Sequence, residues 1–147
     1  MSAENVQTVI RHFELRRERR TPPASDFHPG VELWTPDTWP DGRHHVGLAQ
    51  VSETFNRYYD TWKDISLEWE EPIVLGNKVL IRFKHRVLGV SSEVEVANKG
   101  TAVYGFRDEK IAWMGFFFDD QLALLVAQSD SPNEVVAAHM GPDDASG

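Results

Sequence analysis

A change of hydrophobic period at Asp64 constrains this chain more than any other feature. Before it, apolar residues recur at helical spacing. Val6, Val9, Ile10 and Phe13 share one stripe, Glu4 and Gln7 occupy the first turn, and Pro22-Pro23 ends the pattern, which predicts a helix over 3–19. Val51, Phe55, Tyr58, Tyr59 and Trp62 return to that spacing over 48–63 and give a second helix a strongly aromatic face. Between the two, 27–34 reads as a short extended piece, and 35–47, rich in Pro, Asp and Gly, as a long surface loop.

After Asp64 the period is two. Ile65, Leu67 and Trp69 alternate with Ser66, Glu68 and Glu70. Gly76-Asn77 turns the chain, and 79–88 returns as a long strand. Val94 and Val96 alternate with Glu93 and Glu95, 101–106 follows, Asp108-Glu109 makes the next turn, and 111–118 closes the set. The expected class is α+β: a curved antiparallel sheet of four to six strands wrapped around N-terminal helices, with a cavity inside. A length of 147 residues suits one domain, read as 1–127, followed by an acidic, flexible tail over 128–147 in which 134–140 is at most transiently helical. Strand 111–118 lacks polar alternation, so both its faces need cover. With the helices on one face, Trp113 and Phe117 on the other predict a symmetric partner sheet and hence a homodimer.

Charge and composition narrow the partners. Fifteen Lys plus Arg against 23 Asp plus Glu leave a net charge of -8, which disfavours nucleic acid and anionic membranes. The basic run from Arg16 to Arg20 falls where the first helix should end and reads as cations complementing the helix dipole rather than as an anion site. The absence of cysteine removes disulfides, thiolate nucleophiles and thiolate metal ligands. The polar, acidic start carries no secretory pattern and no apolar run is long enough to span a bilayer, so the expected location is cytoplasmic.

Two helices followed by four or more antiparallel strands, with Phe27-His-Pro-Gly-Val-Glu-Leu-Trp34, a Gly47 opening the second helix, and Phe106-Arg-Asp-Glu-Lys-Ile-Ala-Trp113 followed by Asp119 to Leu124, resemble the nuclear transport factor 2 (NTF2) fold and its SnoaL-like relatives over residues 5–127. The resemblance implies a cone with an internal pocket, in a superfamily of ketosteroid isomerases, polyketide cyclases and limonene epoxide hydrolases. It does not carry their acids. The isomerase positions fall near His12, Ala102 and Leu33; the epoxide hydrolase positions fall on Phe83, His85 and Phe116; the pocket acid or histidine of many SnoaL-like relatives falls on Ala102.

Those superpositions, with strand alternation, turn Val79, Ile81, Phe83, His85, Val87, Tyr104, Phe106, Met114, Phe116 and Phe118 toward the cavity. Such a lining suits a small hydrophobic ligand with one or two polar atoms. His85 is the candidate general base, a titratable ring among apolar neighbours, with a satisfied core histidine as the alternative. His12 is a weaker hydrogen-bonding candidate at the helix border. Tyr59 and Tyr104 are candidate donors, and Trp34, Trp39 and Trp62 candidate walls of the entrance, the alternative in each case being simple core. The adjacent His44 and His45 diverge and find no convergent carboxylate, so no metal is assigned, and no cofactor either. Asp119-Asp120 reads as a helix cap. The functional expectation is a small-molecule-binding domain, a cofactor-independent isomerase, cyclase or lyase working by proton transfer, with a non-catalytic binding or dimerisation module as the alternative.

Overall fold

A computed structural model describes residues 2–36, 43–89 and 95–140. Helix α1 spans Ser2–Arg17, and a short 3-10 turn, Ala24–Asp26, leads into β1, Phe27–Trp34. Strand β2 is His44–Val46 and helix α2 is Leu48–Thr61. The strands β3 (Trp62–Trp69), β4 (Ile73–Leu75), β5 (Lys78–Gly89), β6 (Glu95–Arg107) and β7 (Lys110–Phe117) follow, then helices α3 (Asp120–Ala127) and α4 (Pro132–Met140). The change of period at Asp64 therefore marks the passage from helices to sheet, with β3 starting two residues earlier. Among the described residues no helix is long and apolar enough to cross a membrane.

The strands form one curved, open sheet in the order β2-β1-β7-β6-β5-β3, with β4 pairing the near end of β5. Gly76, with φ +63°, opens the two-residue turn between β4 and β5, while Asp108 and Glu109, both at positive φ, make the one between β6 and β7. The sheet has seven strands rather than four to six, and it is mixed. β1 runs parallel to β7, with Leu33 opposite Met114, and antiparallel to β2. Period two announces a strand but not its neighbour, which is why this pair, distant in sequence, escapes a reading by alternation.

Register sorts the side chains onto two faces. Val79 faces Tyr104, Ile81 faces Ala102 and Phe83 faces Gly100, and β7 adds Met114 and Phe116 beside them. These residues join Val9 and Phe13 of α1, Val51 of α2 and Leu67 of β3 in the inner core. A side chain at Gly100 would put its Cβ 2.5 Å from the Phe83 ring, so this glycine lets that ring lie against the backbone of the neighbouring strand.

The opposite face of the sheet is also covered, by the same chain. Asp119 caps α3, its carboxylate accepting from the backbone N–H groups of Gln121 and Leu122 at 3.0 and 3.2 Å. Helices α3 and α4 then lay Leu122, Ala123, Val126 and Val136 over Leu80, Val103, Trp113 and Phe117. Two expectations change here. Residues 132–140, read as part of a flexible tail, form a packed helix whose Val136 is fully buried. Trp113 and Phe117, offered as a dimer surface, are only 6 % and 3 % exposed in the single chain. The second layer that β7 requires comes from α3 and α4, and the argument for a partner sheet loses its basis.

Candidate functional site

The inner cluster closes on a small cavity between α1, α2 and the concave face of the sheet. Phe13, Arg16, Tyr58, Phe83, His85 and Phe116 are among the residues that line it, and it leaves about 30 Å3 of free space, room for a water or two.

Arg16 is its least expected member. Positions 9, 13 and 16 fall on one helical stripe, so the first arginine of the basic run points inward while its neighbours stay outside. Only 9 % of Arg16 is exposed. Its Nη2 donates to the Tyr104 hydroxyl at 3.1 Å. The guanidinium carbon stands 4.7 Å from the centroid of Phe116, 4.8 Å from Phe13 and 5.3 Å from Phe55. Three ring faces thus partly replace the water this cation has lost. Its Nε makes no hydrogen bond.

Two of the phenols around it, Tyr58 and Tyr59, are held neutral. Burial pushes Tyr58 up to about 12 against the opposing pull of the Arg16 charge, and burial likewise raises Tyr59. Tyr104 is completely buried, and its oxygen accepts from Arg16, which leaves its own O–H to donate.

His85 stands on β5 opposite Leu67 of β3 and Asn98 of β6. Its ring is stacked on Phe118 with centroids 6.4 Å apart and tilted against Phe83 at 5.9 Å. Burial lowers its pKa, so the neutral imidazole is favoured, and its Nδ1 is buried without a hydrogen bond. Arg16 and His85 therefore put an electrophilic donor and a proton acceptor on the walls of one apolar cavity.

The other candidates from the sequence divide between this cavity and elsewhere. Phe83 and Phe116 line the cavity, Tyr104 and Met114 belong to the inner cluster without lining it, and Tyr59 is half-buried on α2 beside Phe55. Trp62 packs edge-on against Tyr58. Trp39 lies outside the described residues. Trp34 is not at the cavity: β1 alternation turns Leu33 inward and Trp34 outward, into the cluster beneath α3 and α4. There its indole and that of Trp113 both donate to Oδ1 of Asn133, each at 2.8 Å.

His12 does not line the cavity either. It is 1 % exposed, and its Nε2 meets Oδ2 of Asp26 at 2.9 Å, an oxygen shared with Arg11 at 2.8 Å. Burial, only partly opposed by Asp26, drops its pKa from 6.5 to about 4, so at neutral pH it is an uncharged donor to that carboxylate. Burial works against the Asp26 charge, but the hydrogen bonds from Arg11 and His12 prevail and keep its pKa below the ordinary value. His44 and His45 turn apart. The first pairs with Glu32 at 2.9 Å and stacks on Trp34 at 4.1 Å, while the second, buried, meets the Thr54 hydroxyl at 3.1 Å.

Sequence reasoning missed Arg16, Asp26 and Asn133. Helical spacing from Val9 and Phe13 was available for the first. Nothing local marks the other two: Asp26 meets His12, 14 positions away, and Asn133 meets Trp113 and Trp34, 20 and 99 positions away.

The comparisons bear on the fold. A solved structure described as TerC co-crystallised with polyporic acid superposes with a TM-score of 0.67 at 20% identity, covering 86% of this chain and 99% of that one. An NTF2-like protein of unknown function from Burkholderia pseudomallei gives 0.70 at 20% identity, over 86% and 98%. A protein from Jannaschia sp. CCS1 described as a SnoaL-like polyketide cyclase gives 0.69 at 17% identity, over 87% and 93%. No curated protein sequence matches the chain. The SnoaL-like domain profile matches residues 9–114, well over half the chain, from the second half of α1 through α2 to Met114 of β7. The chain belongs to the SnoaL-like domain family.

Proposed function

We propose that this protein binds a small, largely apolar molecule in the cavity between α1, α2 and the sheet and catalyses proton transfer on it without a cofactor, in the manner of an isomerase, cyclase or lyase. The observation that carries the reading is the joint presence, on the walls of that cavity, of a desolvated neutral His85 with an unpartnered Nδ1 and of the buried Arg16, whose guanidinium is held from behind by the Tyr104 oxygen. His85 takes a proton from a carbon next to a carbonyl. The negative charge that develops on the carbonyl oxygen is met by the guanidinium, and the imidazolium returns the proton at another atom of the ligand. The aromatic walls exclude water and raise the value of both interactions.

The family relatives support the ligand class: a SnoaL-like polyketide cyclase and a protein co-crystallised with polyporic acid share this architecture. A ring-sized ligand is larger than the free space, so it enters by displacing Phe118, which is 45% exposed and stacked on His85.

The reading is tested with a panel of aryl ketones and polyketide-like lactones in deuterated buffer. Wild-type protein should melt higher with a bound ketone and exchange the ketone's α-protons, while His85→Phe should keep the melting shift and lose the exchange by about two orders of magnitude or more. Binding without any exchange in the wild type would make the domain a carrier rather than an enzyme. No melting shift across the panel would remove the cavity from consideration.

A further inference from the structure

Arg16 is a buried cation that meets no carboxylate among the described residues: around it stand the Tyr104 and Tyr59 hydroxyls and three aromatic rings. A lone buried charge is costly, and a hydrophobic residue of similar length would fill the same stripe of α1 at less cost. The protein carries a net charge of -8, with acidic side chains in excess, yet none of those described is placed against this one. Nε, the one guanidinium donor shown to be buried and unused, belongs to a side chain that lines the cavity.

Resting on the reading of the cavity given above, we infer that the ligand carries an oxyanion, a phenolate, enolate or carboxylate oxygen on an otherwise aromatic body, and that Arg16, positioned by its hydrogen bond to Tyr104, is its receptor. The oxygen enters with its charge and completes a pair whose cationic half is already buried. The aromatic rings that hold the guanidinium also supply the walls for the ligand's apolar body, so charge and hydrophobic surface are recognised together. A neutral ketone reaches the same place, but only in its enolate form does it use the full charge of Arg16. Positions 9, 13 and 16 share a stripe, so this receptor is fixed on a rigid helix rather than a loop.

The probe is 4-nitrophenol, whose phenolate absorbs in the visible, compared with 4-nitroanisole, which has no acidic proton, and with trans-cinnamate against trans-cinnamamide. At a pH below the free phenol's pKa, wild-type protein should bind 4-nitrophenol as the phenolate, seen as growth of its visible band, and should bind cinnamate at least about tenfold more tightly than cinnamamide. Both signatures should vanish in Arg16→Met while cinnamamide binding persists. Tyr104→Phe, which keeps the arginine, should weaken both signatures and guards against a folding failure of the first variant. Phenol and anisole binding alike, with the phenol staying protonated, would overturn the oxyanion receptor and leave the apolar cavity standing. An anion preference that survives in Arg16→Met would place the receptor elsewhere and equally overturn it. Binding of none of the four probes would bring down the cavity reading and the receptor with it. If the phenolate band appears without a cinnamate preference, the ligand class is an enolate or phenolate; the converse identifies a carboxylate.

Discussion

The two aromatic clusters on either side of the sheet treat polar atoms in opposite ways. On the outer side, the Trp34 and Trp113 indoles converge on one amide oxygen of Asn133, whose Nδ2 donates to Glu32 at 3.0 Å, and Glu32 in turn accepts from His44. Each donor there ends on an acceptor. On the inner side, Arg16 Nε and His85 Nδ1 are buried with no partner. Folded proteins rarely leave buried polar atoms unsatisfied, because each costs about 1–3 kcal/mol. Two on one cavity, beside a cluster that satisfies its own, separate what holds this protein together from what it keeps ready for something else.

Proton uptake gives the largest test of that contrast. His12 belongs to the inner side but is satisfied by Asp26, and burial lowers its pKa from 6.5 to about 4. The unfolded chain binds this proton more readily than the folded one, so the stabilisation is whole above about pH 6.5 and is lost as pH falls to about 4, a change of about 3 kcal/mol. Lowered His85 adds in the same sense, while the Asp26 contribution disappears only below, as pH falls through its own depressed pKa. Urea unfolding at neutral and acid pH should show this loss, and His12→Phe should flatten most of it. An unchanged slope in that variant would mean that His12, despite its 1 % exposure, is not desolvated.

Next in size is the outer cluster. Asn133→Ala strands two indole N–H groups and frees the Glu32 carboxylate, and should cost about 2 kcal/mol with no effect on ligand binding in the cavity. A smaller loss, under about 0.5 kcal/mol, would show that water replaces the amide and that the outer cluster rests on its apolar contacts alone. The smallest effect is expected where intuition about buried charge would place a large one. Arg16→Met should change stability by no more than about 1 kcal/mol, since the cation has no carboxylate to lose and the aliphatic chain keeps the rings apart. A loss of several kcal/mol would instead make Arg16 a structural member of the inner cluster and erase the contrast between the two sides.

What the sequence revealed and what it withheld follow from the range of the interactions. The inward set Val79, Ile81, Phe83, Tyr104, Met114 and Phe116 is legible because alternation along one strand is a local property. Trp34 was misplaced although the same alternation, applied to β1 from the inward Leu33, turns it outward. Arg16 was hidden by its own neighbourhood: four arginines in five residues look like a solvated helix end, and only its spacing from Val9 and Phe13 sets it apart. The tail was hidden by composition. Val135 and Val136 stand among small and polar residues that favour no stable helix alone, and the helix exists because a tryptophan-rich sheet face waits for it. The pairing of β1 with β7 and the reach of Asn133 to Trp34 join segments about 80 to 100 residues apart, beyond any periodic signal.

β1 finds its place in the sheet only once β7 exists. The hairpins β4–β5, β5–β6 and β6–β7 join consecutive segments through short connections or direct antiparallel returns, whereas Phe27 must wait for Ile111 and Trp34 for Gly115. Closure over such a distance is slow relative to hairpin formation. During synthesis, β1 emerges well before β7 and has only the short β2 beside it until β7 has cleared the ribosome, leaving its other edge unpaired in the meantime. The inward side chains of β1, Val31 and Leu33, therefore wait for partners made about 80 residues later.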